Sequence, residues 1–191
     1  LRDLNRQFPK TKAPPGANGV LGKALWKFIG EQKPDWVIDL HEGYDFHQLN
    51  SKSVGSTIID AKGKAADAVV PLMLRAVNAS IADPKKKLIR LRYPVDGSLA
   101  RAAHERLHAT AIILETTTKS QPRSRRARQH RVMVHALLKH LEMADGSPHI
   151  LLAKKIGVLR IAIYDAGGVG GNGPSNLDRV LSGMKSVLAR R

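Results

Sequence analysis

The chain has no cysteine, which excludes a cysteine nucleophile, a disulfide framework and a thiolate-ligated metal within these residues. Aromatic residues make up only 4%, and no helix-turn-helix or RNA-binding signature accompanies them, so the usual means of reading nucleic acid are scarce. Acidic residues are few, 16 against 32 lysines and arginines, which leaves a formal net charge of +16. No run approaches the roughly 18 apolar residues that a membrane span needs. What is present is 191 residues with 42% hydrophobic content, enough for one core of ordinary size and part of a second.

The excess charge gathers in two places, Lys85-Lys86-Lys87 with Arg90 and Arg92, and Arg123, Arg125, Arg126, Arg128 and Arg131. Such patches attract nucleic acid. Without a recognition signature the preferred reading is solvated charge together with an anionic small substrate, and nucleic acid is not expected as a partner. From Ser124 the apolar positions Ala127, Val134, Leu137, Leu138 and Leu141, with His130, recur at three and four residues, which predicts an amphipathic helix reaching Met143. Its arginines crowd the first turns, where the helix dipole disfavours cations by about 0.3–1 kcal/mol each. Something acidic is therefore expected to compensate them: preceding chain, an anionic substrate or salt.

Elsewhere strands and helices alternate. Residues 21, 25, 28 and 29 mark a helix over Val20–Ile29, ended by Gly30 and Pro34. Trp36-Val37-Ile38 and Thr57-Ile58-Ile59-Asp60 read as strands, and Lys64 to Ser80 as a helix that Pro71 kinks or splits. Leu88 to Tyr93 is a further strand, leading to a turn at Gly97-Ser98 where Ser98 is a natural N-cap. This alternation predicts an α/β fold, a sheet flanked by helices on both faces. No internal repeat is evident.

Asp39-Leu40-His41-Glu42-Gly43-Tyr44-Asp45-Phe46 is the most informative stretch, because it places His41 where a buried strand runs out into a loop. A neutral imidazole there beside carboxylates is a candidate metal ligand. Two other segments bear on it: Arg2-Asp3-Leu4-Asn5-Arg6-Gln7-Phe8-Pro9, and the apolar strand Ala111-Ile112-Ile113-Leu114-Glu115-Thr116-Thr117, which ends in a carboxylate.

In this order and spacing, DLNRxFP, DLHE and ILETT resemble the zinc carboxypeptidase superfamily, specifically its succinylglutamate desuccinylase/aspartoacylase-like branch, over about Leu1 to Met143. The resemblance implies a mixed sheet flanked by helices and zinc as cofactor. It makes His41 a zinc ligand and Glu115 the general base that takes a proton from the activated water. Asn5 and Arg6 would hold a substrate carboxylate, a task suited to the planar guanidinium fork. Gly97-Ser98-Leu99 resembles the small-residue turn before the helix leading to the catalytic strand. Tyr93 is the nearest counterpart of a substrate-binding tyrosine that precedes that turn, at a different offset. The family's remaining ligands, a histidine and a glutamate in HxxE, lie upstream of the DLNR element. The expectation is thus of a fragment lacking its N-terminal strands and two ligands, inactive alone.

A rival pattern is His104-Glu105-Arg106-Leu107-His108, which fits H-E-x-x-H. The helix carrying it is expected to stop at once, since a strand begins near Ala109, and no third-ligand segment follows. Both histidines are therefore read as solvated.

After Met143 the chain changes character, with a linker expected over 144–156 and a second, truncated domain over 157–191. Val158 to Asp165 reads as a strand, followed by a glycine-rich loop and a helix from Asn176 to Leu188. Gly168, Gly170 and Gly173 satisfy G-x-G-x-x-G. The segment also resembles the opening of a glutamine-amidotransferase-like, flavodoxin-like domain, and a plain change of chain direction accounts for it equally well. Two functions remain: a zinc hydrolase cleaving an amide beside a substrate carboxylate, on a peptide or an N-acyl amino acid, or a non-catalytic binding module whose basic patches hold polyanions.

Overall fold

A computed structural model of the chain describes residues 3–145, 152–153 and 161–165. The fold is α/β, built on a mixed sheet with helices on both faces. Its strands are β1 (Trp36–Gly43), β2 (Thr57–Asp60), β3 (Ile89–Arg92) and β4 (Thr110–Thr117), in the order β3-β2-β4-β1. β1 and β4 are parallel, β2 runs antiparallel to β4, and β3 is parallel to β2.

Strand alternation sorts the apolar residues into two layers. Trp36, Ile38, Ile58, Ile112 and Leu114 face α2 (Lys64–Asn78) and α4 (Arg123–His140), which supply Val69, Val70, Met73, Met133 and Leu137. Val37, Ile59, Ala111 and Ile113 face α1 (Val20–Gln32) and α3 (Leu99–Leu107), which supply Leu25, Ile29, Leu99, Ala100, Ala102 and Ala103. Phe8 closes that second layer, its ring centroid 6.4 Å from that of Trp26.

Several sequence expectations shift by a turn. Gly30 does not end α1, which continues to Gln32 and stops where Lys33 turns left-handed (φ 45°) ahead of Pro34. A lone helical glycine costs about 1 kcal/mol against alanine, too little to break a helix fixed by buried Leu25 and Ile29. Pro71 neither splits nor ends α2; it sits on the exposed side, while Val69, Val70 and Met73 anchor the other. Ser98 caps α3 as expected, accepting from the Arg101 N–H at 3.2 Å. The helix expected from Ser124 spans Arg123–His140 rather than running on to Met143.

The first basic cluster is also not all free charge. Arg90 donates to Asp60 at 2.6 and 3.0 Å and to Asp67 at 2.7 Å, and Arg92 donates to the same two carboxylates at 3.1 and 2.7 Å. Asp60 is fully buried, so the two guanidiniums neutralise a charge that burial would otherwise disfavour.

Beyond α4, β5 (Ala144–Asp145) pairs antiparallel with β6 (Leu152–Ala153). β7 (Ile161–Asp165) lies parallel to β1 at the sheet edge, Trp36 opposite Ile161 and Leu40 opposite Asp165. The glycine-rich loop, with Gly168, Gly170 and Gly173, and the helix expected after it lie outside the described residues.

The end of β1 is fixed by a close backbone crossing. A Cβ added to Gly43 would stand 2.3 Å from the Gly55 nitrogen, and one on Gly55 would stand 2.3 Å from the Asp45 carbonyl oxygen. Neither position admits a side chain without backbone movement. Gly43→Ala should therefore destabilise the protein by about 2–4 kcal/mol in a urea titration, whereas Gly30→Ala, whose added Cβ meets nothing within 4 Å, should be neutral or stabilising; equal effects would refute this account of the crossing.

Candidate functional site

Strand parity assembles the centre of the site. On β1, Asp39 and His41 share the face of Val37; on β4, Glu115 shares the face of Ala111 and Ile113, and the register sets His41 directly beside Glu115. All three point to the α1/α3 side at the C-terminal ends of two parallel strands, where an α/β sheet opens toward ligands.

Asp39 is fully buried, and its Oδ1 lies 2.9 Å from His41 Nε2. The His41 side chain keeps 15% of its surface exposed. Burial alone would push the ring down, but the hydrogen bond and charge of Asp39, with charge from Glu115 and Asp3, raise it above its ordinary value. The short contact with Asp39 favours the proton on Nε2 and leaves Nδ1 as the acceptor.

Glu115 is buried, and its Oε2 has no hydrogen-bond partner among the described residues. Desolvation is the main reason that its carboxyl is pushed up to about 7; His41 opposes the shift, and Asp39 and Glu42 add to it. A carboxyl held near neutrality is suited to moving protons in both directions.

The segment before Phe8 is folded onto this centre by its own side chains. Asp3 accepts from the Asn5 N–H at 2.9 Å and shapes a short 3-10 turn over Leu4–Arg6. Asn5 Oδ1 accepts from the Leu99 N–H at 2.9 Å, at the start of α3, while Nδ2 lies 3.4 Å from His41 Nε2. Asn5 thus caps the α3 N-terminus with its oxygen and sets its amide nitrogen beside the histidine. Gly97, at φ 85°, lets the turn before Ser98 pass under Arg6, and its carbonyl accepts from the Phe8 N–H at 3.0 Å.

Arg6 is half-exposed; its guanidinium donates to the Asn5 carbonyl at 2.8 Å and lies 3.7 Å from Asp3. The structure therefore gathers Asn5, Arg6, His41 and Glu115 at one end of the sheet. Tyr93 is placed differently. It follows β3 at φ 61°, its N–H donates to the Asp60 carbonyl at 2.8 Å, and its exposed ring packs against the Arg101 guanidinium at 5.8 Å. Ile89 is the β3 residue level with Glu115 through Thr57, so the Tyr93 backbone sits four residues, on the order of 13 Å, further along the sheet.

The H-E-x-x-H alternative is dismantled by the C-cap of α3. His108 is left-handed (φ 56°), so it is not one helical turn above His104 on a common face. Glu105 is engaged by Arg101 and by the Thr11 hydroxyl at 2.8 Å.

Asp39 is the site residue whose role sequence reasoning missed, although it stands in the motif. The available signal was its spacing of two from His41, which puts both on one face of a strand. Among the described residues no group of three or more His, Asp or Glu is arranged to hold a metal ion. The donor chemistry still fits one zinc ligand, because a carboxylate-oriented imidazole stands beside an unsatisfied buried carboxylate oxygen. No protein-family model, no curated protein and no solved structure matches the chain.

The Glu115 carboxyl gives a signed pH dependence. In the unfolded chain it ionises at its ordinary 4.5, but folded and metal-free it keeps its proton to about 7. Between those values the folded state binds more protons than the unfolded, so stability falls as pH rises and the loss is complete above about 7. Glu115→Gln should be the more stable protein at about pH 8, by about 3 kcal/mol, and equal to wild type near pH 4. Urea unfolding at the two pH values measures this; the same gap at both would remove the buried-acid explanation.

Proposed function

We propose that the chain belongs to a zinc-dependent hydrolase of the carboxypeptidase or succinylglutamate desuccinylase/aspartoacylase type, cleaving an amide bond near a substrate carboxylate. The observation that carries this reading is the pairing, on one sheet face, of an Asp39-oriented His41 with a Glu115 carboxyl held near neutrality by burial. The DLNR, DLH and ILETT elements, folded to one end of the sheet, support it.

In this reading His41 would hold the metal, with the other ligands supplied from outside the described residues. Zinc, when bound, polarises the scissile carbonyl and makes water acidic enough to ionise near pH 7. The rest falls to the chain's own groups. Glu115 accepts the proton of the attacking water and returns it to the leaving amine. Asp39 keeps the imidazole oriented. Arg6 offers its fork to the substrate carboxylate. Asn5 holds the α3 turn through its side-chain oxygen and offers its amide N–H, beside His41, to the same substrate carboxylate.

The deciding experiment is zinc-dependent hydrolysis of a C-terminal peptide panel and an N-acyl amino acid panel by the longest expressed form of the protein. Glu115→Gln should retain zinc and lose about 10²–10⁴ in kcat. His41→Ala should lose the zinc itself. Full activity in Glu115→Gln, or undiminished zinc affinity in His41→Ala, would overturn the assignment.

A further inference from the structure

The second basic cluster is mostly left without partners by the fold. Along α4 there is no aspartate or glutamate, its first turn holds no acid, and Pro122 at its N-cap supplies no side-chain cap. Among the described residues only Arg126 is matched, donating to Glu42 and to the Gln121 carbonyl, each at 2.6 Å. Arg123, Arg125, Arg128 and Arg131 are exposed and make no ion pair among the described residues. Arg125, Arg128 and Arg131 follow one another at three-residue steps, so they share one side of the helix.

The position of this cluster matters as much as its charge. β4 delivers Glu115 at its C-terminal end, and α4 begins a few residues later at the same end of the sheet. Glu42, which holds Arg126, is the residue after His41. The Thr118 N–H donates to the Gly43 carbonyl at 2.9 Å, and Lys119 Nζ reaches Asp45 at 2.7 Å while its side chain stays 60% exposed. The first turns of α4 thus stand at the end of the sheet that carries the candidate site, on the helix that covers its other face.

We propose that the start of α4 is a docking surface for an acidic peptide, the extended portion of the substrate whose scissile amide is presented to His41 and Glu115. This rests on the hydrolase reading above. Guanidinium groups pair with carboxylates through two parallel hydrogen bonds, which lysines do not match. An anionic chain also offsets the repulsion between cations and the positive end of the helix dipole. A peptide is favoured over single-stranded nucleic acid because α4 has no Phe, Tyr or Trp on which bases stack.

The test is fluorescence anisotropy in the Glu115→Gln background, which prevents turnover. The probes are a labelled decamer of alternating glutamate and serine, its glutamine counterpart, and a single-stranded RNA decamer. The acidic peptide should bind more tightly than the neutral one. The triple variant Arg125→Gln/Arg128→Gln/Arg131→Gln should weaken it about tenfold at low salt, with the difference shrinking at about 0.5 M salt. Restoring lysine at the three positions should recover only part of the loss. Equal binding of the two peptides, an unaffected triple variant, or tighter binding of the RNA through the same arginines would overturn the proposal. Loss of the docking effect with hydrolysis of small N-acyl amino acids intact sinks this surface alone. Arginine-dependent binding of the acidic peptide, with no substrate turned over by the Glu115 form, sinks the hydrolase reading and leaves the surface standing.

Discussion

The parallel register of β1 against β4 is the constraint on which the rest depends. His41 stands beside Glu115 only because Trp36 pairs with Thr110 and each following residue keeps step. A slip of one residue would send Glu115 to the α4 side and leave His41 without it, since successive side chains alternate faces. The register is held by burial on both sides at once. Ile38, Ile112 and Leu114 are locked under α2 and α4, while Val37, Ala111 and Ile113 are locked under α1 and α3. The second face is lined by small residues, Ala100, Ala102, Ala103, Ala109 and Ala111. That lets α3 lie close to the sheet and brings its N-terminal Leu99 amide within reach of Asn5.

From this register the rim follows. β1 cannot extend past Gly43 as an ordinary strand because the backbone of Gly55 crosses it. The intervening loop is tied down by Ser53, whose hydroxyl donates to the Asp45 carbonyl at 2.7 Å and accepts from the Asp45 N–H at 3.0 Å. Asp45 in turn meets Lys119, whose hydrogen bond, the largest influence, holds the carboxyl below its ordinary range, with burial opposing and the Phe46 N–H assisting. The exit of β4 and the start of α4 are therefore tethered to the exit of β1. The arginine-rich turn is placed by these tethers together with Arg126, which donates to Glu42 and to the Gln121 carbonyl.

Much of this architecture was legible because it depends on period. Short apolar runs identified the strands, three-and-four spacing identified the helices, and Ser98 marked a start by its hydroxyl. The shared face of Asp39 and His41 was also readable, by counting two. What could not be read were the terms settled by distant residues. Gly30 and Pro71 are local breakers overruled by buried Leu25, Ile29, Val69 and Met73. Arg90 and Arg92 looked like surplus charge until β2 and β3 paired and brought Asp60 and Asp67 to them. Asn5 matched a motif, but its bond to the Leu99 amide depends on α3, more than 90 residues away in sequence. The offset of Tyr93 along the sheet came only from the β2–β3–β4 register.

The electrostatics of the site form layers. At the centre two buried carboxylates, Asp39 and Glu115, flank one imidazole, and the protein accommodates them differently. Asp39 is stabilised by a short contact to a ring that it raises in turn, whereas Glu115, lacking such a partner for Oε2, is held near neutrality instead. Burying both acids for structural reasons alone would be uneconomical, since an apolar pair of similar volume fills the same space without desolvating charge. Around this centre the rim carries ion pairs, Arg6 with Asp3, Lys119 with Asp45 and Arg126 with Glu42. Loss of the Glu115 proton is what makes the centre more negative, so a cation held there would draw that carboxyl back down.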